Sequence, residues 1–190
     1  MRQHKLFWGS SYDRGLMHLL KMWPKIIKKF PDATLDVYYG WNLFDTAFRK
    51  NPERMNWKER MNEQMKQKGI THHGRVGQDE LKKAREKCGI WAYSTDFDEI
   101  NCITALECQR DGCVPCVINK AALKETVGSG VRVDGDIYDP EVQEEYLKQL
   151  LNLMGNEKLW KDEQAKGKEF VKKFSWKIIA KKWHNLFTEV

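Results

Sequence analysis

The chain has 190 residues, of which 41% are hydrophobic and 12% aromatic, enough apolar material for a packed core, which excludes global disorder. No apolar run approaches the roughly 20 residues needed to cross a bilayer. A net charge of +6 favours anionic partners: a nucleotide, an anionic membrane surface or nucleic acid.

The lysines are nonetheless spread over helical faces (Lys25, Lys28, Lys29; Lys172, Lys173; Lys181, Lys182) and do not form one tail, so much of this charge reads as solvated surface. No apolar h-region follows Met-Arg-Gln-His-Lys, so no signal peptide is expected. An odd number of cysteines, five, without an export signal predicts free thiols in a reducing cytoplasm.

In chain order, a short strand is predicted over 4–8, followed by the turn Gly9-Ser10-Ser11-Tyr12-Asp13-Arg14-Gly15. Leu16, Leu19, Leu20, Trp23, Ile26, Ile27 and Phe30 then recur at helical spacing, with Pro24 expected to kink the helix. A strand over 34–39 stopped by Gly40 completes a βαβ unit. Residues 41–52 read as a loop and 53–68 as a charged helix. A short strand and turn over 69–74, an exposed helix over 78–87 and a strand over 88–93 follow.

The stretch 91–118 then reads as strand, acidic loop, helix, strand. Its helix is expected to start near Asn101 and end at Gly112, a natural C′ residue. Glu99 would lie in the loop at the helix N-terminus, and Glu107 two turns inside. A helix N-terminus suits a phosphate, and a carboxylate beside it suits sugar hydroxyls. The pairing fits a ligand with diphosphate at one end and hydroxyls at the other. The plain alternative is that Glu99 only stabilises the helix dipole and Glu107 is solvated.

Val114-Pro115-Cys116-Val117-Ile118 reads as a buried strand, followed by a short helix around 121–127 and a strand near 130–133. Asp139-Pro140 is a helix start with Asp as N-cap. Helices are predicted over 140–154 and 156–173, and Ser175 is placed to cap a last one. On that helix Trp176, Ile179, Ala180, Trp183, Leu186 and Phe187 form one apolar stripe. Strands alternating with helices predict an α/β fold with a doubly wound parallel sheet. The whole chain, 1–190, reads as one unit: a sheet core over about 1–135 and C-terminal helices over about 139–190.

Cys113 and Cys116 form C-x2-C, with Cys102 and Cys108 upstream and His72-His73 elsewhere, but no second C-x2-C exists and the pair flanks an apolar strand. Buried thiols are the better reading than a zinc site. A basic nucleic-acid-binding module is the rival of another class. No RRM, KH or zinc-finger spacing supports it, and Trp8, Trp23, Trp91, Trp176 and Trp183 lie on apolar faces that core packing explains.

The segment Glu99-Ile100-Asn101…Leu106-Glu107-Cys108-Gln109-Arg110-Asp111-Gly112-Cys113-Val114-Pro115 resembles the E-x7-E motif of retaining glycosyltransferases of the GT-B fold, in particular glycosyltransferase family 4. Both Glu, the Gly and the Pro agree; the family's aromatic-Gly pair stands here as Ile100-Asn101 and its Ala-Met-Ala as Cys108-Gln109-Arg110. The opening 6–16, Pro31-Asp32-Ala33-Thr34-Leu35, Gly74-Arg75-Val76 with Glu80-Leu81, and Phe174-Ser175-Trp176 are similar to further family segments in the same order.

The resemblance implies a Rossmann-like GT-B C-terminal domain that binds a nucleotide-sugar donor. Catalysis would rest on Arg14, in the place of the family's diphosphate-binding Lys, and on Glu99. The family's paired Arg stands here as Ser10 or Ser11, and Arg75 is a candidate substitute for the lost charge. Gly74, Arg75 and Val76 would lie near the base. Glu99 would contact donor-sugar hydroxyls, and Asn101, Cys102 and Ile103 would offer backbone N–H groups to phosphate. Glu107 would hold the ribose hydroxyls.

No metal and no cofactor is expected, the donor being a substrate. The partners implied are the nucleotide-sugar and an N-terminal acceptor-binding domain onto which the last helix would cross back. A glycolipid acceptor or a peripheral membrane surface would suit the basic charge. No nucleic acid is expected. A degenerate domain serving only as scaffold is the alternative, favoured by the lost Arg and the Ile100-Asn101 change.

Overall fold

Strands that are apolar on both faces belong in a sheet covered on both sides. Val114–Ile118 (β5) and Ile90–Tyr93 (β4) are buried at every position. In the computed structural model, which describes residues 1–188, they are inner strands of one six-stranded sheet with Lys5–Trp8 (β1), Thr34–Tyr38 (β2), Ile70–Gly74 (β3) and Val131–Val133 (β6). The order is β3-β2-β1-β4-β5-β6 and every pairing is parallel. The Rossmann-like α/β fold expected from the sequence is the fold observed.

Helices cover both faces. Leu16–Lys29 (α1) packs on Pro52–Gln64 (α3) and Pro140–Gly155 (α7). Gln78–Lys87 (α4) packs on Ile103–Asp111 (α5), which in turn meets Glu157–Phe170 (α8). The short Asn42–Phe48 (α2) and Leu123–Thr126 (α6) lie in the connections, and Trp176–Thr188 (α9) ends the described chain. Trp8, Trp23, Trp91, Tyr93 and Tyr146 fill the core. Asp139 caps α7 as its sequence predicts, its Oδ1 accepting from the Glu141 amide at 2.9 Å.

Four local findings correct or extend the expectations. Residues 41–52 are not a loop throughout, because α2 forms there. None of its residues is buried, although Leu43, Phe44, Ala47 and Phe48 fall on one helical face. It is held instead by aromatic contacts, Phe44 lying 4.9 Å from Phe48 and 5.3 Å from Trp57. Secondly, α1 runs unbroken through Pro24. The Leu20 carbonyl that Pro24 cannot serve accepts from Gln67 Nε2 at 3.0 Å.

Thirdly, α5 begins at Ile103, so Glu107 lies one turn inside and Asn101 precedes the helix. Lastly, Trp176 and Trp183 are not core residues: they are 87% and 55% exposed, with Leu186 and Phe187 beside them also exposed. The main contact of α9 is with the 3-10 turn Val171–Phe174, so nothing among the described residues covers its stripe. All five cysteines are free and buried.

Candidate functional site

In an open parallel sheet the crevice lies beyond the carboxyl ends of the strands where the strand order reverses. Here that point falls between β1 and β4, whose neighbours lie on opposite sides. The loop after β1, carrying Ser10 to Gly15, therefore meets the loop after β4, carrying Ser94 to Cys102. The approach is close. Gly15 has φ 102°, and a Cβ there would stand 2.3 Å from the Ser94 carbonyl oxygen. Ser94 Oγ donates to the Gly15 carbonyl at 3.1 Å, tying the loops together.

One cleft, of about 180 Å³, is lined by Ser10, Arg14, Trp91, Tyr93, Glu99, Asn101, Cys102, Ile103 and Thr104. Arg14 Nη1 donates to Glu99 Oε1 at 3.1 Å and Oε2 at 3.3 Å. Tyr93 donates its hydroxyl to the same Oε1 at 2.6 Å and lies 3.3 Å from Ser10 Oγ. Burial, then the bond to Glu99, pushes the Tyr93 phenol pKa up, so it remains a donor at neutral pH. Partial burial disfavours the Arg14 charge, but Glu99 and Tyr93 outweigh it and hold the pKa above the ordinary arginine value. The guanidinium lies 4.0 Å over the Phe97 ring.

The loop carrying Glu99 is anchored from β5's side. The Ala122 amide donates to the Glu99 carbonyl at 3.1 Å, and Lys120 Nζ reaches the Asp96 carbonyl at 2.9 Å and the Asp98 carboxylate at 3.0 Å. Cys102 at the N-cap makes no side-chain cap hydrogen bond, leaving the first amides of α5 at the cleft. Its thiol is pushed up to about 12 by burial, so it is no nucleophile. The Trp91 indole N–H, at the floor of the cleft, has no partner among the described residues.

A second cleft, of about 250 Å³, shares Thr104 with the first. Arg75, Val76, Gln78, Tyr38, Tyr39 and Phe7 line it together with Glu107 and Arg85. Tyr39 sits there at φ 143°, a strained backbone for a non-glycine residue. Glu107 Oε2 pairs with Arg85 Nη1 at 3.3 Å, and Arg85 Nε donates to Asp111 Oδ2 at 2.8 Å.

The sequence-predicted residues thus fall into two groups. Ser10, Arg14, Glu99, Asn101, Cys102 and Ile103 surround the first cleft; Arg75, Val76 and Glu107 line the second. Ser11 lies outside both, its carbonyl accepting from the Arg14 amide in the turn. Gly74 ends β3 just before Arg75, with φ 71° and open space where a Cβ would be. Arg75 is exposed and lines the cleft that Arg14 does not. Tyr93 and Arg85 escaped the sequence reading. The first sits inside an apolar strand and the second inside the charged run Lys82-Lys83-Ala84-Arg85-Glu86-Lys87, where nothing marks it as buried.

A parallel sheet in this order with a switch-point crevice is a Rossmann-like fold, and solved GT-B glycosyltransferases share it. No protein-family model and no curated protein matches the sequence. Among solved structures, the chain is similar to the pneumococcal O-GlcNAc transferase GtfA in complex with UDP and GlcNAc, with a TM-score of 0.76 at 15% identity over 99% of this chain and 36% of that one. Sucrose-phosphate synthase from Thermosynechococcus elongatus gives 0.71 at 18% identity, over 97% of this chain and 44% of that one. The C-terminal domain of a glycosyl transferase group 1 family protein (LpcC) from Francisella tularensis gives 0.62 at 16%, over 88% and 83%. The chain therefore spans about a third of the length of the pneumococcal protein and most of the isolated Francisella domain.

Proposed function

We propose that this chain is the nucleotide-sugar donor-binding half of a retaining, metal-independent glycosyltransferase, moving a sugar from a nucleoside diphosphate to an acceptor hydroxyl. The observation that carries this reading is the pair of adjoining clefts at the switch point, with Glu99 in one, Glu107 in the other and the first turn of α5 between them. Glu99, held by Arg14 and Tyr93, accepts from donor-sugar hydroxyls. The α5 amides and Arg14 stabilise the charge that grows on the departing diphosphate, fixed dipoles that need no reorganisation during the reaction. Glu107 accepts from the ribose hydroxyls, and the base lies toward Gly74, Arg75 and Val76.

Acceptor-side groups come from a second, acceptor-binding domain. The exposed apolar residues around the first cleft, Phe97, Ile100 at 96% exposure and Ile103, supply a rim for it. The setting is cytoplasmic, and a glycolipid or membrane-surface acceptor suits the basic charge.

A degenerate scaffold is the second reading. It is favoured by Arg14, the sole cation lining the first cleft among the described residues, being already paired with both oxygens of Glu99. Calorimetric titration with UDP, GDP and ADP and their sugar conjugates separates the two. Donor binding predicts saturable association that Arg14→Ala and Glu107→Ala each weaken about tenfold or more. Absence of binding to every nucleotide overturns the donor reading in favour of the scaffold.

A further inference from the structure

Arg85 is the one cation that the second cleft shares with the protein interior. Its side chain is 3% exposed, on α4, facing two carboxylates one turn apart on α5. Asp111, also 3% exposed, accepts from its Nε at 2.8 Å, while Glu107, 27% exposed, forms an ion pair with it, Oε2 lying 3.3 Å from Nη1. Arg110 also lies on Asp111, at 2.7 Å from the solvent side, so that carboxylate serves two guanidiniums and Glu107 supplies the second negative charge. The ion pair draws Glu107 toward the cleft wall, and neither of its oxygens has a hydrogen-bond donor among the described residues, so both can accept from a ligand. A planar guanidinium can hold both carboxylates at fixed angles, whereas an ammonium on a flexible stem is a single point charge.

We infer that Arg85 is a positioning residue for nucleotide recognition, keeping the Glu107 carboxylate at the cleft wall where it accepts from ribose hydroxyls. This rests on the donor-binding reading above and adds a residue to it. The arrangement makes ribose the part of the ligand that depends on Arg85, since in the donor-binding reading it is the ribose that meets Glu107.

The test is calorimetric titration of the wild-type chain, Arg85→Lys and Glu107→Gln with UDP, GDP and ADP and with their 2′-deoxy and 3′-deoxy counterparts. Wild type is expected to prefer one ribonucleotide over its deoxy forms by about tenfold. Arg85→Lys keeps a cation against Asp111 but should erase that preference while leaving deoxynucleotide affinity unchanged. Arg85→Lys combined with Glu107→Gln should lose no more than either change alone. Should Arg85→Lys fail to fold, Arg85→Gln with Asp111→Asn removes the buried charges together and carries the same comparison. Ribose preference surviving in the folded Arg85 variant, or additive losses in the double variant, overturns the inference and leaves donor binding intact. Ribonucleotide binding by wild type with no preference over the deoxy forms overturns the role of Glu107 and Arg85 together. No binding of any nucleotide overturns the donor reading itself.

Discussion

Tyr93 shows how one hydroxyl can decide the chemistry of a carboxylate. It donates to Glu99 Oε1 at 2.6 Å, the oxygen that Arg14 Nη1 also approaches at 3.1 Å. Tyr93→Phe keeps the ring, stacked on Trp91 at 4.8 Å, and removes only the hydroxyl with its bonds to Glu99 and Ser10. In calorimetry it should leave nucleoside diphosphate affinity in place and lower the extra affinity of the nucleotide-sugar severalfold, because in the proposed donor-binding role Glu99 meets the sugar. Asp111 makes a prediction in pH. Burial alone would raise its pKa, but hydrogen bonds from Arg110 and Arg85 outweigh that and hold it below the ordinary carboxylate value. Its contribution to stability is therefore complete above the unfolded value, near pH 4, and is lost as pH falls through the folded pKa. Urea midpoints measured downward from pH 6 should drop more steeply below about pH 4 for wild type than for Asp111→Asn. Glu99, Glu107 and Arg14 were legible from motif spacing. Tyr93 and Arg85 were not, because burial and a partner many residues away give each its importance.

Among the elements, α1 carries a proline in its interior and stays whole. The Leu20 carbonyl would be orphaned there, and Gln67, just before β3, supplies the missing donor at 3.0 Å. Gln67 Nε2 also donates to the Gln64 carbonyl at 2.9 Å, so a single amide caps two elements. Gln67→Ala should lower stability by about 1–2 kcal/mol, read as a shift in urea midpoint with unchanged slope. The long-range bond satisfies the carbonyl that the proline leaves without a donor. Trp57, on the next helix, likewise holds α2 through its aromatic face, packing on Phe44 at 5.3 Å.

Over the whole molecule, the feature without a counterpart is α9. Its apolar stripe stands in solvent, with Trp183 at 55% and Phe187 at 72% exposure, and its rings stacked at 5.7 Å only on each other. Sedimentation velocity should show concentration-dependent association of this chain, abolished by Trp183→Asp with Phe187→Asp. The thermal midpoint should stay unchanged, since α9 meets little of the core. A monodisperse monomer at high concentration would contradict this expectation.

The alternation of strands and helices, the parallel sheet, the caps at Asp139 and Gly112 and the two glutamates of the central segment were all determined by the sequence itself. They depend on short-range patterns: apolar period, turn chemistry and motif spacing. Tertiary structure alone decided which charges are buried, which aromatic stripe is uncovered and which carboxylate each arginine holds. Those outcomes depend on residues far apart in the chain meeting across the sheet, as Arg85 meets Glu107 and Asp111, and no local pattern encodes such a meeting.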